Sequence, residues 1–204
     1  MAADRGNCRH EDVALRLGFR VVAGLDEAGR GPWAGPVVAA AVVLKRRRFR
    51  VRIDDSKRLT PLQRERAYAA IREQADVGVG LANHATIDRE NILQATRLAM
   101  QEAIALLPQL PEFLLVDGRL PPLAAIQQRN LIHGETESLS IACASIIAKV
   151  TRDRLMRFYD RLFPVYRFAV HKGYGTSAHH ALLREHGPSP LHRTTFRPIA
   201  ELLR

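Results

Sequence analysis

Asp26 and Glu27 stand side by side at the end of an apolar run, residues 20–26, just ahead of Gly29-Arg30-Gly31. Adjacent carboxylates repel and raise each other's pKa unless a cation sits between them. The loop that follows supplies glycine amides and the Arg30 guanidinium, both natural partners of a phosphate. Acids for a hard metal, then donors for phosphate: the order points to metal-dependent chemistry on a nucleic-acid backbone. Asp117 has the same local setting, closing the apolar stretch Phe113-Leu114-Leu115-Val116 just before Gly118. Alone it reads as a turn cap. Ligands of α/β sheets collect at the carboxyl ends of strands, however, so acids at two strand ends can converge, and beside Asp26 and Glu27 the site interpretation prevails.

Elements able to position these acids follow from the apolar pattern. Residues 20–26, 36–44, 77–84, 113–116 and 124–128 read as strands. A helix opens at Thr60-Pro61, with Thr60 as cap and Pro61 in the first turn. Residues 88–107 and 138–163 have helical periodicity, and a shorter helix lies near 178–186. Residues 1–19 form a polar lead-in, and 20–204 make one domain of α/β or α+β type. The 204 residues are ample for a real core, and 31 Lys+Arg against 21 Asp+Glu, a formal charge of +10, favour a polyanionic partner. Arginine carries most of that charge; the lysines are Lys45, Lys57, Lys149 and Lys172. Cys8 and Cys143 make neither a disulfide framework nor a metal spacing. No apolar run reaches membrane length and the N-terminus is too polar for a signal peptide, so no membrane association and a cytoplasmic location are expected.

Two other patterns compete. Gly29-Arg30-Gly31-Pro32-Trp33-Ala34 fits a dinucleotide-binding fingerprint, but acids sit where a pyrophosphate would approach and Pro32 with Val37-Val38 opens a helix poorly. His171, His179, His180, His186 and His192 crowd the C-terminal third without a metal-ligand signature. His179 and His180 are expected on a helix surface.

Leu25-Asp26-Glu27-Ala28-Gly29-Arg30-Gly31, Asp55-Ser56-Lys57, Asn91-Ile92-Leu93, Val116-Asp117-Gly118, the stretch from Ser145-Ile146-Ile147-Ala148-Lys149 to Arg152-Asp153, and His171-Lys172-Gly173-Tyr174 resemble, in order, the motifs of ribonuclease HII, the type 2 ribonuclease H. The resemblance spans roughly residues 20 to 200. It implies an α/β, ribonuclease H-like fold: a mixed five-stranded sheet flanked by helices, with a C-terminal helical extension. It also implies a monomer that hydrolyses the phosphodiester 5′ of ribonucleotides, in RNA–DNA hybrids and singly embedded in duplex DNA, leaving 5′-phosphate and 3′-hydroxyl ends.

By the same resemblance Asp26, Glu27 and Asp117 are metal ligands, and two Mg²⁺ or Mn²⁺ ions are expected with substrate. Carboxylate ligation suits those hard ions rather than zinc. Two of them about 4 Å apart can activate a water and stabilise a leaving oxygen. The backbone of Gly29, Arg30 and Gly31 is implied to read the ribose 2′-hydroxyl, the handle that separates RNA from DNA. Tyr174 is implied to pack on the sugar beyond the cleavage site, and Lys57, Ser145, Lys149 and Lys172 to contact phosphates.

One position departs from the pattern. Where the family usually has a Gly-Asp phrase, this chain has Gly134-Glu135. Glu135 is expected as the fourth catalytic acid with an altered metal preference, favouring Mn²⁺; Glu137 is the weaker substitute. Alternatives from other classes are a non-catalytic nucleic-acid-binding module on the same fold and a different two-metal nuclease.

Overall fold

The computed structural model describes residues 7–204; residues 1–6 of the expected lead-in lie outside the described residues. Five strands, β1 (Val22–Ala28), β2 (Val37–Leu44), β3 (Ala75–Ala82), β4 (Phe113–Asp117) and β5 (Gln127–Leu131), form one sheet in the order β3-β2-β1-β4-β5. β1 pairs antiparallel with β2, and β2 with β3, while β4 runs parallel to β1 and β5 parallel to β4. The helices are α1 (Arg9–Arg16), α2 (Pro61–Gln74), α3 (His84–Ala105), α4 (Leu139–Leu162), α5 (Phe168–His171), α6 (Ser177–His186) and α7 (Arg197–Leu202). The sheet is mixed, helices flank it, and the last three form a C-terminal helical region, as the fold class expected.

β2 is apolar at every position because both its faces are covered. Ala39 and Ala41 pack in the cluster that includes Ala99, Met100 and Ala103 of α3. Ala40 and Val42 belong to the opposite cluster, with Ile71 of α2 and Ile147 of α4. Alanines let both helix layers approach closely. α4 comes closest at Gly24, where a Cβ would lie 2.3 Å from the Ser140 carbonyl carbon and 2.4 Å from the Ile141 nitrogen. Glycine there is a packing requirement: it seats α4 directly on β1.

The start of α4 is fixed by α1. Buried Glu11 accepts hydrogen bonds from Ser138 Oγ (2.7 Å), Ser140 N (2.8 Å) and Ser140 Oγ (2.7 Å). A carboxylate at a helix N-terminus satisfies free amides and meets the positive end of the dipole. The α2 start has the expected chemistry: Thr60 Oγ1 accepts from Gln63 N at 3.3 Å while Gln63 Oε1 accepts from Thr60 N at 2.8 Å.

Several boundaries differ from the expectation; β1 runs two residues later, at Val22–Ala28, and β3 starts two earlier, at Ala75. β3 ends at Ala82 rather than 84, because Asn83 caps α3 by accepting from Thr86 N at 2.8 Å. α3 therefore starts earlier than 88 and is broken at Asn91 (φ 65°, ψ 164°), whose side chain accepts from Leu93 N (2.9 Å) and Gln94 N (3.1 Å). Asn91 is thus a second N-cap inside the run. β5 lies three residues beyond the start expected at 124, since this mostly exposed edge strand has no apolar run to announce it.

Candidate active site

Leu25 of β1 is paired with Val116 of β4, so the next residues, Asp26 and Asp117, leave the same edge of the sheet side by side. Leu25 and Val116 point into the α3 cluster. Side chains alternate along a strand, which turns Asp26 and Asp117 to the other face, toward α4. Gly24 and Asp26 share that face. Their two-residue separation on β1 matches one helical turn on α4, so Ile141 lies over Gly24 and Ser145 over Asp26.

Asp26 is 8 % exposed, and its Oδ1 accepts from the Glu27 amide at 2.7 Å. Ser145 stands beside its carboxylate, an influence that lowers the Asp26 pKa, and donates its hydroxyl to Ser56 Oγ at 2.9 Å. Glu27 Oε1 meets Arg30 Nη1 at 3.3 Å. Asp117 Oδ1 accepts from Gly134 N at 2.7 Å, which brings the short 3₁₀ turn Gly134–Thr136, and so Glu135, against the pair of strands. Glu135 Oε2 is buried and without a hydrogen-bond partner among the described residues. Glu137 faces away, 2.8 Å from His10 Nε2.

One cleft of ≈ 250 Å³ is lined by Asp26, Glu27, Asp117 and Glu135 together with Gly29, Arg30, Gly31, Lys57, Ser145, Lys149 and Tyr174. Eleven of the twelve residues singled out in the sequence therefore surround one space. The twelfth, Lys172, is not in that lining; its ammonium bonds the Ala169 carbonyl and it adopts a left-handed backbone (φ 52°). Lys149 is paired with Asp153 at 2.7 Å and lies 5.9 Å from the centre of the Tyr174 ring. Ser56 also lines the cleft, and Asp55 adds its field to Glu135. Neither was singled out as a site residue, although both belong to the phrase Asp55-Ser56-Lys57. A larger depression of ≈ 760 Å³, lined by Arg46, Arg47, Arg48, Arg50, Glu73 and Gln74, lies beyond the far end of β2 and gathers no comparable set of acids.

The electrostatics of the cleft are those of acids lacking enough positive charge. Burial, then Glu27, then Asp117 push the Asp26 pKa well above its ordinary value. Burial raises Glu27 in spite of Arg30 and Lys57. Burial raises Glu135 as well, reinforced by Asp117 and Asp55. Among the described residues no three His, Cys, Asp or Glu side chains stand close enough together, as they are placed, to hold a metal ion. The acids instead ring an open cleft, with the unpartnered Glu135 Oε2 among them, and an all-oxygen donor set of this kind fits a hard divalent cation.

A stability prediction follows. An acid whose pKa is raised by folding binds more protons folded than unfolded, so stability falls as pH climbs from the ordinary carboxylate values of 3.8 and 4.5 through the raised ones. Protein in EDTA is expected to melt at a lower temperature near about pH 8 than near about pH 5. Mn²⁺ should raise the melting temperature, and more at the higher pH. Thermal denaturation with no Mn²⁺ effect at either pH would contradict cation binding by these acids.

The histidines require a correction. His179 is not on a helix surface but fully buried, stacked on His171 with ring centres 4.1 Å apart and with Nε2 2.9 Å from His192 Nε2. α6 turns this position inward against Phe168 and Trp33, an apolar setting that pushes His179 and His192 down to about 4. Their other ring nitrogens are spoken for, His179 Nδ1 by Tyr174 O (2.9 Å) and His192 Nδ1 by Ser189 N (2.8 Å). His171 Nε2 is 2.7 Å from Tyr166 O, and its Nδ1 accepts from Gly173 N at 3.1 Å. The cluster is a packed, neutral underside for the Lys172-Gly173-Tyr174 turn.

Comparison with known proteins agrees with the geometry. The family model described as ribonuclease HII matches residues 23–199. Ribonuclease HII of Geobacter sulfurreducens is 54% identical over 194 residues, covering 95% of this chain and 89% of that protein. Ribonuclease HII of Chloroflexus aggregans is 53% identical over 199 residues, covering 95% and 94%. Among solved structures, the ribonuclease H2 of Pyrococcus horikoshii OT3 superposes with a TM-score of 0.72 at 24% identity, over 90% of this chain and 97% of that one. The ribonuclease HII in the PCNA complex from Archaeoglobus fulgidus gives 0.75 at 24% identity, over 87% and 96%; at that identity both establish the fold. Family model, half-identical relatives and fold converge: the chain belongs to the ribonuclease HII family, metal-dependent endonucleases of the type 2 ribonuclease H class that act on RNA–DNA hybrids.

Proposed function

We propose that this chain cuts the phosphodiester 5′ of a ribonucleotide, both in RNA–DNA hybrids and where a single ribonucleotide interrupts duplex DNA, leaving 5′-phosphate and 3′-hydroxyl ends. The observation that carries the proposal is the shared cleft, where four carboxylates from β1, β4 and the 134–136 turn face the glycine loop, Lys57 and Tyr174. Asp26, Glu27 and Asp117 hold the metal, with Asp26 central because it adjoins both other acids. Glu135 completes the set. Bound there, a pair of Mg²⁺ or Mn²⁺ ions supplies Lewis acidity toward water and the leaving oxygen.

The chain's own groups orient the substrate. Glycines 29 and 31 let the backbone approach a ribose closely enough to test for its 2′-hydroxyl. Tyr174, 43% exposed, offers its ring face at the cleft rim to the neighbouring sugar. Lys57, Lys149 and Ser145 hold phosphates; Lys172 reaches one after releasing the Ala169 carbonyl. The protein works as a cytoplasmic monomer, and no helix among the described residues is long and apolar enough to cross a membrane.

The test is a DNA duplex carrying one ribonucleotide, incubated with Mg²⁺ or Mn²⁺. A single nick 5′ to the ribonucleotide is expected, blocked by EDTA, with an all-DNA duplex left intact. Binding without nicking would favour a non-catalytic module, and comparable cutting of all-DNA duplex a different nuclease; either result overturns the proposal.

A further inference from the structure

Arg152 and Arg193 are 0% exposed, yet neither is in an ion pair with a carboxylate among the described residues. Enclosing a guanidinium without a counter-charge is costly, and apolar residues of similar size would serve stability better. Burial lowers Arg152 to about 10 and Arg193 to about 9, which leaves both charged at neutral pH.

Every protein hydrogen bond they donate goes to a main-chain carbonyl. Arg193 Nη2 donates to Gly29 O (2.6 Å) and Gly35 O (2.8 Å), Nη1 to Arg30 O (2.9 Å), and Nε to Gly35 O (3.0 Å). Arg152 donates to Pro36 O (2.9 Å), Ala34 O (3.1 Å) and Lys172 O (3.0 Å), fastening the same loop to the turn that carries Tyr174. Gly29 (φ 101°) lies so near Arg152 that a Cβ would fall 2.1 Å from its Nε. Arg193 itself is seated over Phe196, 5.0 Å from the ring centre, and Asp88 of α3 grips the two threonines that follow it.

In a planar trans peptide the C=O and N–H point in opposite directions. With the Gly29 and Arg30 carbonyls drawn inward to one guanidinium, the N–H groups of Arg30 and Gly31 turn outward, toward the cleft those residues line. Neither N–H donates to a backbone acceptor among the described residues. Consecutive outward amides form an anion-accepting nest.

We propose that Arg193, assisted by Arg152, is a positioning residue: its guanidinium fixes the peptide planes of the 29–31 loop so that the Arg30 and Gly31 amides face the scissile nucleotide. This inference rests on the proposed function of the cleft. Arg193 touches neither substrate nor metal; it acts through the loop. A lysine keeps the charge but lacks the planar fork that spans three carbonyls.

The test uses Arg193→Lys and Arg193→Met in the full chain. On the single-ribonucleotide duplex, kcat is expected to fall about 100-fold for a misplaced reactive geometry. KM should change less than about threefold, because phosphate contacts elsewhere supply the affinity. A purely structural role would instead lower the melting temperature and leave kcat per folded molecule intact. A second readout does not need turnover. In amide NMR of the metal-free protein, inorganic phosphate should shift the Arg30 and Gly31 resonances of the parent and not those of Arg193→Lys. A folded Arg193→Lys with kcat within about threefold of the parent, or with the phosphate-induced shifts unchanged, would overturn the inference. If the parent nicks nothing, the proposed function fails, while the amide shifts still decide the role of Arg193.

Discussion

Asp26→Asn is expected to reduce nicking at least about 10³-fold, which corresponds to about 4 kcal/mol of transition-state stabilisation. The substitution keeps size and hydrogen-bonding shape but removes the charge that holds the cation between Glu27 and Asp117. Duplex affinity should stay within about twofold, since it comes from phosphate contacts made by basic side chains. Stability should move the other way. Asp26 is buried beside two acids and its ionised form is disfavoured, so the amide relieves a penalty present at neutral pH. In EDTA the variant should therefore melt at a higher temperature than the parent, and Mn²⁺ should stabilise it less. Residual cleavage within tenfold of the parent would remove Asp26 from the reaction, and a lower melting point would refute the charge repulsion.

Gly24→Val is expected to destabilise the protein by about 3 kcal/mol or more, the upper range for overpacking. The new Cβ would fall 2.3 Å from the Ser140 carbonyl carbon, 2.4 Å from the Ile141 nitrogen and 2.4 Å from Ser140 Oγ. These atoms cannot simply rotate away: two are backbone, and the hydroxyl is held by Glu11. For a chain of this length the melting temperature should fall by roughly 10 °C. If α4 yields instead, Ser145 withdraws from Asp26 and cleavage falls in the protein that remains folded. A thermal shift of less than about 2 °C would show that α4 and β1 are not packed as described.

Much of the site was legible because its chemistry is concentrated in short phrases. Asp26 and Glu27 adjoin the glycine loop in sequence, and Asp117 declares itself by ending an apolar strand just before a glycine. The sheet's centre was legible for a related reason: β1, β2 and β4 are buried runs without breaks. β5 lies later than the sequence suggests because an exposed edge strand carries no such run. The break in α3 was hidden because Asn91 restarts a helix without interrupting its apolar periodicity. The sequence puts His179 on a surface, since a polar side chain on an amphipathic helix is usually solvated, and only packing against His171, Trp33 and Phe168 reverses that. Arg152 and Arg193 gave no warning of burial, because their partners are carbonyls and carbonyls have no sequence signature.

The bonds from Arg193 to Gly29 and Gly35 join positions 164 and 158 residues apart. Contacts that distant form late, after long stretches of backbone have been brought to order. During synthesis the carboxylates emerge from the ribosome well before the arginine that braces the loop beside them. A nascent chain stopped short of Arg193 would hold its acids without a fixed aperture, so maturation of the cutting centre waits until Arg193 itself has been made.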